Sequence, residues 1–333
     1  MTSVTTLDLH GLEIACETES AELASALVRP FRYFLAASPA PRVRVVVHEA
    51  APPLEGFPPM PALFSSPRNI VFGDRARKIV DYFGRGIVVQ ERGQPCYRLY
   101  SQDRDLLLEA FYLLVLSLLG EHCDRVGLLR VHALALSHRD RAVLLMMPQG
   151  GGKSTLTLSM LQVPGVGYIS DDDPLFDRHG QILPFPRPLG MLRAEALAAI
   201  PPQYVYSLQR MEFGVKHFVD SEWWGDRLER RRLRRIVLLT TQRVLNGTPR
   251  IEPISKMEAL RSLLRDAVVG IGLYQGVEFI FNHSTWEALA WGPILAGRLG
   301  RAFRLAQQAS TWRLTLGSDV AANAAVLRDF LES

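Results

Sequence analysis

The sequence predicts an α/β fold, and three observations carry that prediction. Apolar runs of strand length alternate with helix-length stretches, a glycine-rich turn joins one such run to a helix, and an acidic triplet closes the next strand. Residues 142–147 are an unbroken apolar run, Gly150-Gly151-Gly152-Lys153-Ser154-Thr155 follows, and residues 156–161 open a helix. Strand, glycine loop, Lys-Ser and helix is the order in which a phosphate-binding loop (P-loop) is built. Its backbone N–H groups and the helix N-terminus face an anion, Lys153 supplies a point charge, and the Ser154 hydroxyl is suited to Mg²⁺. The full pattern has a glycine five residues before Gly152; here that residue is Met147.

The remaining elements follow in chain order. Residues 43–48 and 86–90 read as strands, with the Pro-rich stretch 51–59 as a loop between elements. A helix near 103–120 leads into a strand over 127–136, which turns at Ser137-His138-Arg139-Asp140 into the strand feeding the glycine loop. Residues 166–170 make a short strand ending in Asp171-Asp172-Asp173; Asp177-Arg178-His179-Gly180 is a hairpin turn and 181–184 its return strand. A core strand over 235–240 and a helix over 256–269 complete the reading. The expected division is a smaller mixed α+β N-terminal unit, residues 1–120, and a P-loop domain, residues 121–333.

Composition narrows the function classes. A chain of 333 residues with 48% hydrophobic and 22% charged residues is that of a folded protein. The first residues lack a basic region followed by an apolar core, so no signal peptide is expected. The most apolar segment, 106–119, contains Glu109 and falls short of the ~20 residues of a membrane span. Cys16, Cys96 and Cys123 are odd in number and far apart, which fits a reducing cytoplasm and neither a disulfide framework nor a zinc site. A formal net charge of +4 is too mild to argue for nucleic acid.

Three further groups of residues are candidates for chemistry. A carboxylate of the 171–173 run, at a strand end facing the ligand crevice of an open sheet, is placed to hold Mg²⁺ or to take a proton from an attacking hydroxyl. The bland reading of the same run is a turn before Pro174. His132 is expected mid-strand, where a lone histidine is more often structural. Six arginines in the nine residues 227–235 are either a solvated surface or a site for phosphate or an acidic peptide. Trp223-Trp224 just before them are core or an exposed platform.

Taken together, Val131-His132-Ala133, residues 150–154 and Ser170-Asp171-Asp172 resemble the catalytic domain of the HPr kinase/phosphorylase family in order and spacing. The similarity covers residues 121–270, with weaker echoes in residues 215–219 and 251–260. It implies a P-loop core of the HPr-kinase/phosphoenolpyruvate-carboxykinase type. Gly150, Gly151, Gly152, Lys153, Ser154 and Thr155 would bind ATP or another nucleoside triphosphate, and Ser154 and Asp172 would hold Mg²⁺. Asp171 would be the base, with His132 and Asp172 completing the catalytic set. Two departures stand out: Thr155 replaces an acidic residue and Ala133 a glycine, and the segment that accompanies phosphorolysis is not found. The N-terminal unit resembles that of related proteins beside peptide-modification genes, including lasso-peptide kinases and a SynChlorMet cassette protein.

The resulting expectation is a cytoplasmic, Mg²⁺-dependent kinase acting on a hydroxyl, a serine on a peptide or small protein. The resemblance adds a homo-oligomer, and no nucleic-acid partner is expected. The alternative is a catalytically weak or inactive nucleotide-binding scaffold in a peptide-modification pathway.

Overall fold

The computed structural model describes residues 2–38, 40–147, 151–191, 197–268, 277–280 and 285–333. It is a mixed α/β structure of two compact units. One contains Met1–His122, Val205–Asp220 and Tyr274–Leu289; the other contains Cys123–Tyr204, Ser221–Leu273 and Ala290–Ser333. The expected division was contiguous, whereas the units exchange segments along the chain.

The first unit is built on one eight-stranded sheet. Its order is Ser3–Leu9, Leu12–Thr18, Val43–His48, Cys96–Ser101, Gly86–Glu91, Arg77–Asp81, Ile70–Gly73 and Ala62–Ser65. The β-branched run of Val43–His48 sits inside it, parallel to both neighbours, with Val43, Val45 and Val47 buried in alternation. Helix Ala21–Val28 begins where the Ser20 hydroxyl accepts the N–H of Leu23 at 3.2 Å. Helix Arg104–Val126 runs 23 residues, beyond the expected 103–120. It is long and apolar enough to cross a membrane by length and composition, and 83% of its most apolar window is buried inside the protein. Burial in a core accounts for its apolar character. The hairpin of Val205–Arg210 and Gly214–Val219 also belongs to this unit. Just beyond it, Asp220 pairs with Arg29 at 2.7 Å.

The second unit carries a six-stranded mixed sheet in the order Val166–Ser170, Leu134–His138, Arg141–Met146, Arg235–Arg243, Ser310–Leu316 and Arg250–Pro253. The three strands from Arg141–Met146 through Ser310–Leu316 are parallel, and the outer pairings are antiparallel. Inward residues of these strands, Leu144, Met146, Ile236 and Leu238 among them, form one cluster with Ala259, Leu260 and Leu263 and with Ala302, Leu305 and Ala306. Those six belong to helices Lys256–Leu263 and Thr285–Gln308, which therefore cover one face. Ser255 caps the first of them by accepting the N–H of Glu258 at 3.2 Å. A π-helical turn, Leu264–Val268, follows where an α-helix to 269 was expected.

One difference from the sequence expectation bears on the site. The strand expected over 127–136 is two strands in two sheets. Leu129–Arg130 pairs with Leu175–Phe176, while Leu134–His138 enters the main sheet. The chain changes sheets at 131–133, where the Val131 N–H donates to the Pro174 carbonyl at 3.1 Å. His132 therefore sits in a break, not mid-strand.

Candidate functional site

The strand Arg141–Met146 delivers the chain to the glycine loop. Met147, 3% exposed, packs into the interior, so the position that is glycine in the full pattern is a packing residue here. Residues 148–150, Gly150 included, lie outside the described residues. The Gly151 carbonyl accepts from Arg243 Nη2 at 3.2 Å, and Thr241 Oγ1 donates to the Met146 carbonyl at 2.8 Å. The neighbouring strand Arg235–Arg243 thus braces both ends of the loop. Gly152 takes φ +92° as the N-cap of helix Lys153–Met160. A Cβ there would be no closer than 3.6 Å to its nearest neighbour, so the left-handed backbone rather than crowding calls for glycine.

Lys153 is the meeting point of the predicted residues. Its ammonium lies 2.9 Å from His132 Nε2 and 3.2 Å from Asp172 Oδ1. An ammonium has only donors, so Nε2 accepts and the imidazole is neutral with its proton on Nδ1. The loop helix brings Lys153, the sheet crossing brings His132, and the end of strand Val166–Ser170 brings Asp172. Lys153 is buried, while the Asp172 side chain keeps a quarter of its surface. Asp171, next to it, is buried at the strand end. The Ser154 hydroxyl donates to the Gly190 carbonyl at 2.8 Å. Thr155 is exposed, and its carbonyl accepts from Ser159 Oγ at 3.2 Å.

Asp173 has a separate role that the acidic run did not reveal. It is 2% exposed and forms ion pairs with Arg187 and, at 3.4 Å, with Arg130, both of which are also buried. Two guanidiniums around one carboxylate in the interior hold the strand ends together. Arg130 left a signal in the sequence, a lone charge in the apolar stretch 128–131; Arg187, Gly190 and Arg243 left none.

The arginine run is partly engaged. Arg231 pairs with Glu229 at 2.9 Å and donates to the Arg139 carbonyl at 2.8 Å, and Arg235 pairs with Asp140 at 3.0 Å. Burial pushes the Glu229 carboxyl up, but its hydrogen bonds from Arg231 outweigh that and hold it below the usual carboxylate range. Trp224 is buried against Tyr168, with ring centroids 5.6 Å apart, so it is a core residue.

Among the described residues, no group of three or more His, Cys, Asp or Glu is placed to hold a metal ion. Mg²⁺ does not require such a cage. It keeps several waters and is usually held by one or two protein oxygens together with nucleotide phosphates. The Asp172 carboxylate and Ser154 hydroxyl are hard oxygen donors of that kind; Asp172 contacts the Lys153 ammonium, and Ser154 follows Lys153 directly in the sequence. No model of a known protein family matches the chain, and no curated protein matches its sequence.

Proposed function

We propose that the chain is a Mg²⁺-dependent kinase that moves a phosphoryl group from ATP or another nucleoside triphosphate to a hydroxyl, a serine on a peptide or small protein. The observation that carries this reading is the convergence of His132 and Asp172 on Lys153 at the start of the loop helix. In the same reading the second unit is a P-loop core like that of HPr kinases, and the protein works in the cytoplasm as a homo-oligomer.

Phosphoryl transfer asks little covalent chemistry of a protein and depends on positioning and charge. Lys153 and the amides of Gly151 and Gly152 receive the nucleotide phosphates at the helix N-terminus. Neutral His132 accepts from the lysine and holds the ammonium at the mouth of the loop. Asp171 takes the proton of the acceptor hydroxyl. The hydroxyl oxygen forms the new bond to the terminal phosphorus as the bond to the bridging oxygen breaks, and the nucleoside diphosphate leaves. Ser154 and Asp172 would hold Mg²⁺, which when bound neutralises charge on the nucleotide oxygens.

The test is incubation of the protein with labelled ATP and candidate peptides, comparing wild type with Lys153→Ala and Asp171→Asn. Loss of labelling in both variants is expected; labelling equal to wild type in both refutes the site. The exposed Thr155, where the kinases it resembles carry an acid, favours a second reading: a nucleotide-binding scaffold without transfer. Calorimetry separates the two. Binding of ATP with no turnover in the presence of the acceptor peptide is the scaffold's signature.

A further inference from the structure

A second cluster of cations lies in the same unit as the glycine loop but is lined by none of its residues. A cavity of about 210 Å³ opens between the turn at 177–180 and the last turns of helix Thr285–Gln308. Its floor is apolar: Leu129, Phe176 and Leu305, all buried. Its walls carry Arg178 on the turn and Arg301 and Arg304 on the helix. Positions 301, 304, 305 and 308 share one helix face, so both arginines point at the cavity with Leu305 beneath them.

The charges in this cavity are not balanced. Asp177 is its one acid, and that carboxylate already accepts from the backbone N–H groups of His179 at 2.8 Å and Gln181 at 3.0 Å. The nearby Asp124 is committed to Arg298, accepting from its Nε at 2.8 Å. Among the described residues, Arg178, Arg301 and Arg304 form no ion pair. Arg178 Nε donates to His179 Nε2 at 3.1 Å, and Arg304 reaches the Arg178 carbonyl at 3.5 Å. The ε N–H of Arg301 is buried without a partner. Like charges gathered on a low-polarity floor repel, and an arrangement of this kind persists at least cost when an anion completes it. Burial, the largest cause, holds the Arg301 guanidinium below its ordinary value; the Asp124 charge acts the other way, and Arg298 and Arg304 add to the lowering.

The turn is shaped to the same end. Gly180 has φ +78°, the left-handed backbone that calls for glycine, and it lies close to the Gln308 side chain of the helix, 2.4 Å from Oε1 to where a Cβ would sit. We propose that this cavity binds a phosphate-type dianion, held by the forked N–H groups of Arg178, Arg301 and Arg304 above the apolar floor.

This inference does not rest on the kinase reading. Its test is calorimetric titration of the full chain with inorganic phosphate in a Lys153→Met background, which removes the glycine-loop lysine. One saturable site is expected. Arg178→Gln combined with Arg304→Gln should weaken it at least about tenfold, equivalent to about 1.4 kcal/mol. Both side chains are exposed, so this pair is expected to leave the melting temperature unchanged. Arg301→Lys should weaken binding less than Arg301→Gln, because it keeps charge and loses only the fork. Absence of saturable binding in the background, or an affinity untouched by the Arg178/Arg304 pair, overturns the proposal.

Discussion

Asp172 and Asp173 are adjacent, chemically identical and predicted to fail in opposite ways when each is changed to asparagine. Asp173→Asn removes the one carboxylate between Arg130 and Arg187, all three side chains being less than 10% exposed. Two buried guanidiniums then lose the carboxylate they share. Removing one partner from a buried pair costs about 3–5 kcal/mol, which is a large part of the 5–15 kcal/mol typical of a whole domain. At roughly 2–4 °C per kcal/mol for a unit of this size, the melting temperature should fall by about 6–20 °C. Asp172 is a quarter exposed and its lysine keeps His132 as a second partner, so Asp172→Asn should cost about 1 kcal/mol or less. Urea and thermal denaturation of both variants, followed by circular dichroism, give the two numbers. Labelling by ATP is expected to collapse in Asp172→Asn while its fold survives. Equal destabilisation by the two substitutions, or a change below about 1 kcal/mol for Asp173→Asn, would sink the assignment of one aspartate to the frame and the other to the site.

The remaining predictions concern the frame of each unit. Burial pushes the thiols of Cys16 and Cys123 up to about 12, whereas Cys96 is half-buried; a maleimide at neutral pH should label Cys96 and spare the other two until the protein unfolds. Burial also raises the Glu109 carboxyl, against the Met211 N–H and the charges of Arg68 and Arg210. A carboxyl raised in the folded state makes ionisation cost stability as pH climbs through the unfolded and then the folded value. Glu109→Gln should therefore gain stability over wild type near pH 8 and lose that advantage near pH 4, as read by urea midpoints. A Cβ on Gly167 would lie 2.4 Å from Ser137 Oγ and 3.2 Å from the Arg227 carbonyl, so Gly167→Ala should lower stability by about 1–3 kcal/mol. An unchanged midpoint there would show that strand Val166–Ser170 shifts freely.

Much of the second unit could be read locally. An apolar run ending in a glycine turn and a helix start is a local pattern, and the strand Arg141–Met146 and the helix Lys153–Met160 stand where it put them. The hairpin turn at 177–180 and the capped helix from Lys256 were equally local. What escaped depended on distant partners. The break at 131–133 arises because Leu129–Arg130 finds Leu175–Phe176, more than forty residues on, before the chain rejoins the main sheet. The hairpin at 205–219 clusters with residues before 122, a long-range association that no window of sequence contains. Met147 looked like a defect in a motif; its burial shows a side chain recruited to the core.

The acidic triplet shows why the candidate site was only half legible. Three consecutive aspartates look alike in sequence, yet successive residues face different surroundings. The environment then assigns the roles: Asp172 meets Lys153, and Asp173 meets Arg130 and Arg187. Arg130 is also two residues before His132, and the Val131 N–H donates to the Pro174 carbonyl just after Asp173. The contacts that bury Asp173 therefore fix the position of His132 relative to Asp172, and both of those residues hold Lys153. A frame of this kind predicts an effect beyond stability. Even under conditions where Asp173→Asn remains folded, the grip of His132 and Asp172 on Lys153 should loosen, and nucleotide affinity should fall although Asp173 touches neither. Nucleotide affinity equal to wild type in the folded fraction of that variant would separate the frame from the site and leave the arginine pair a purely structural strut.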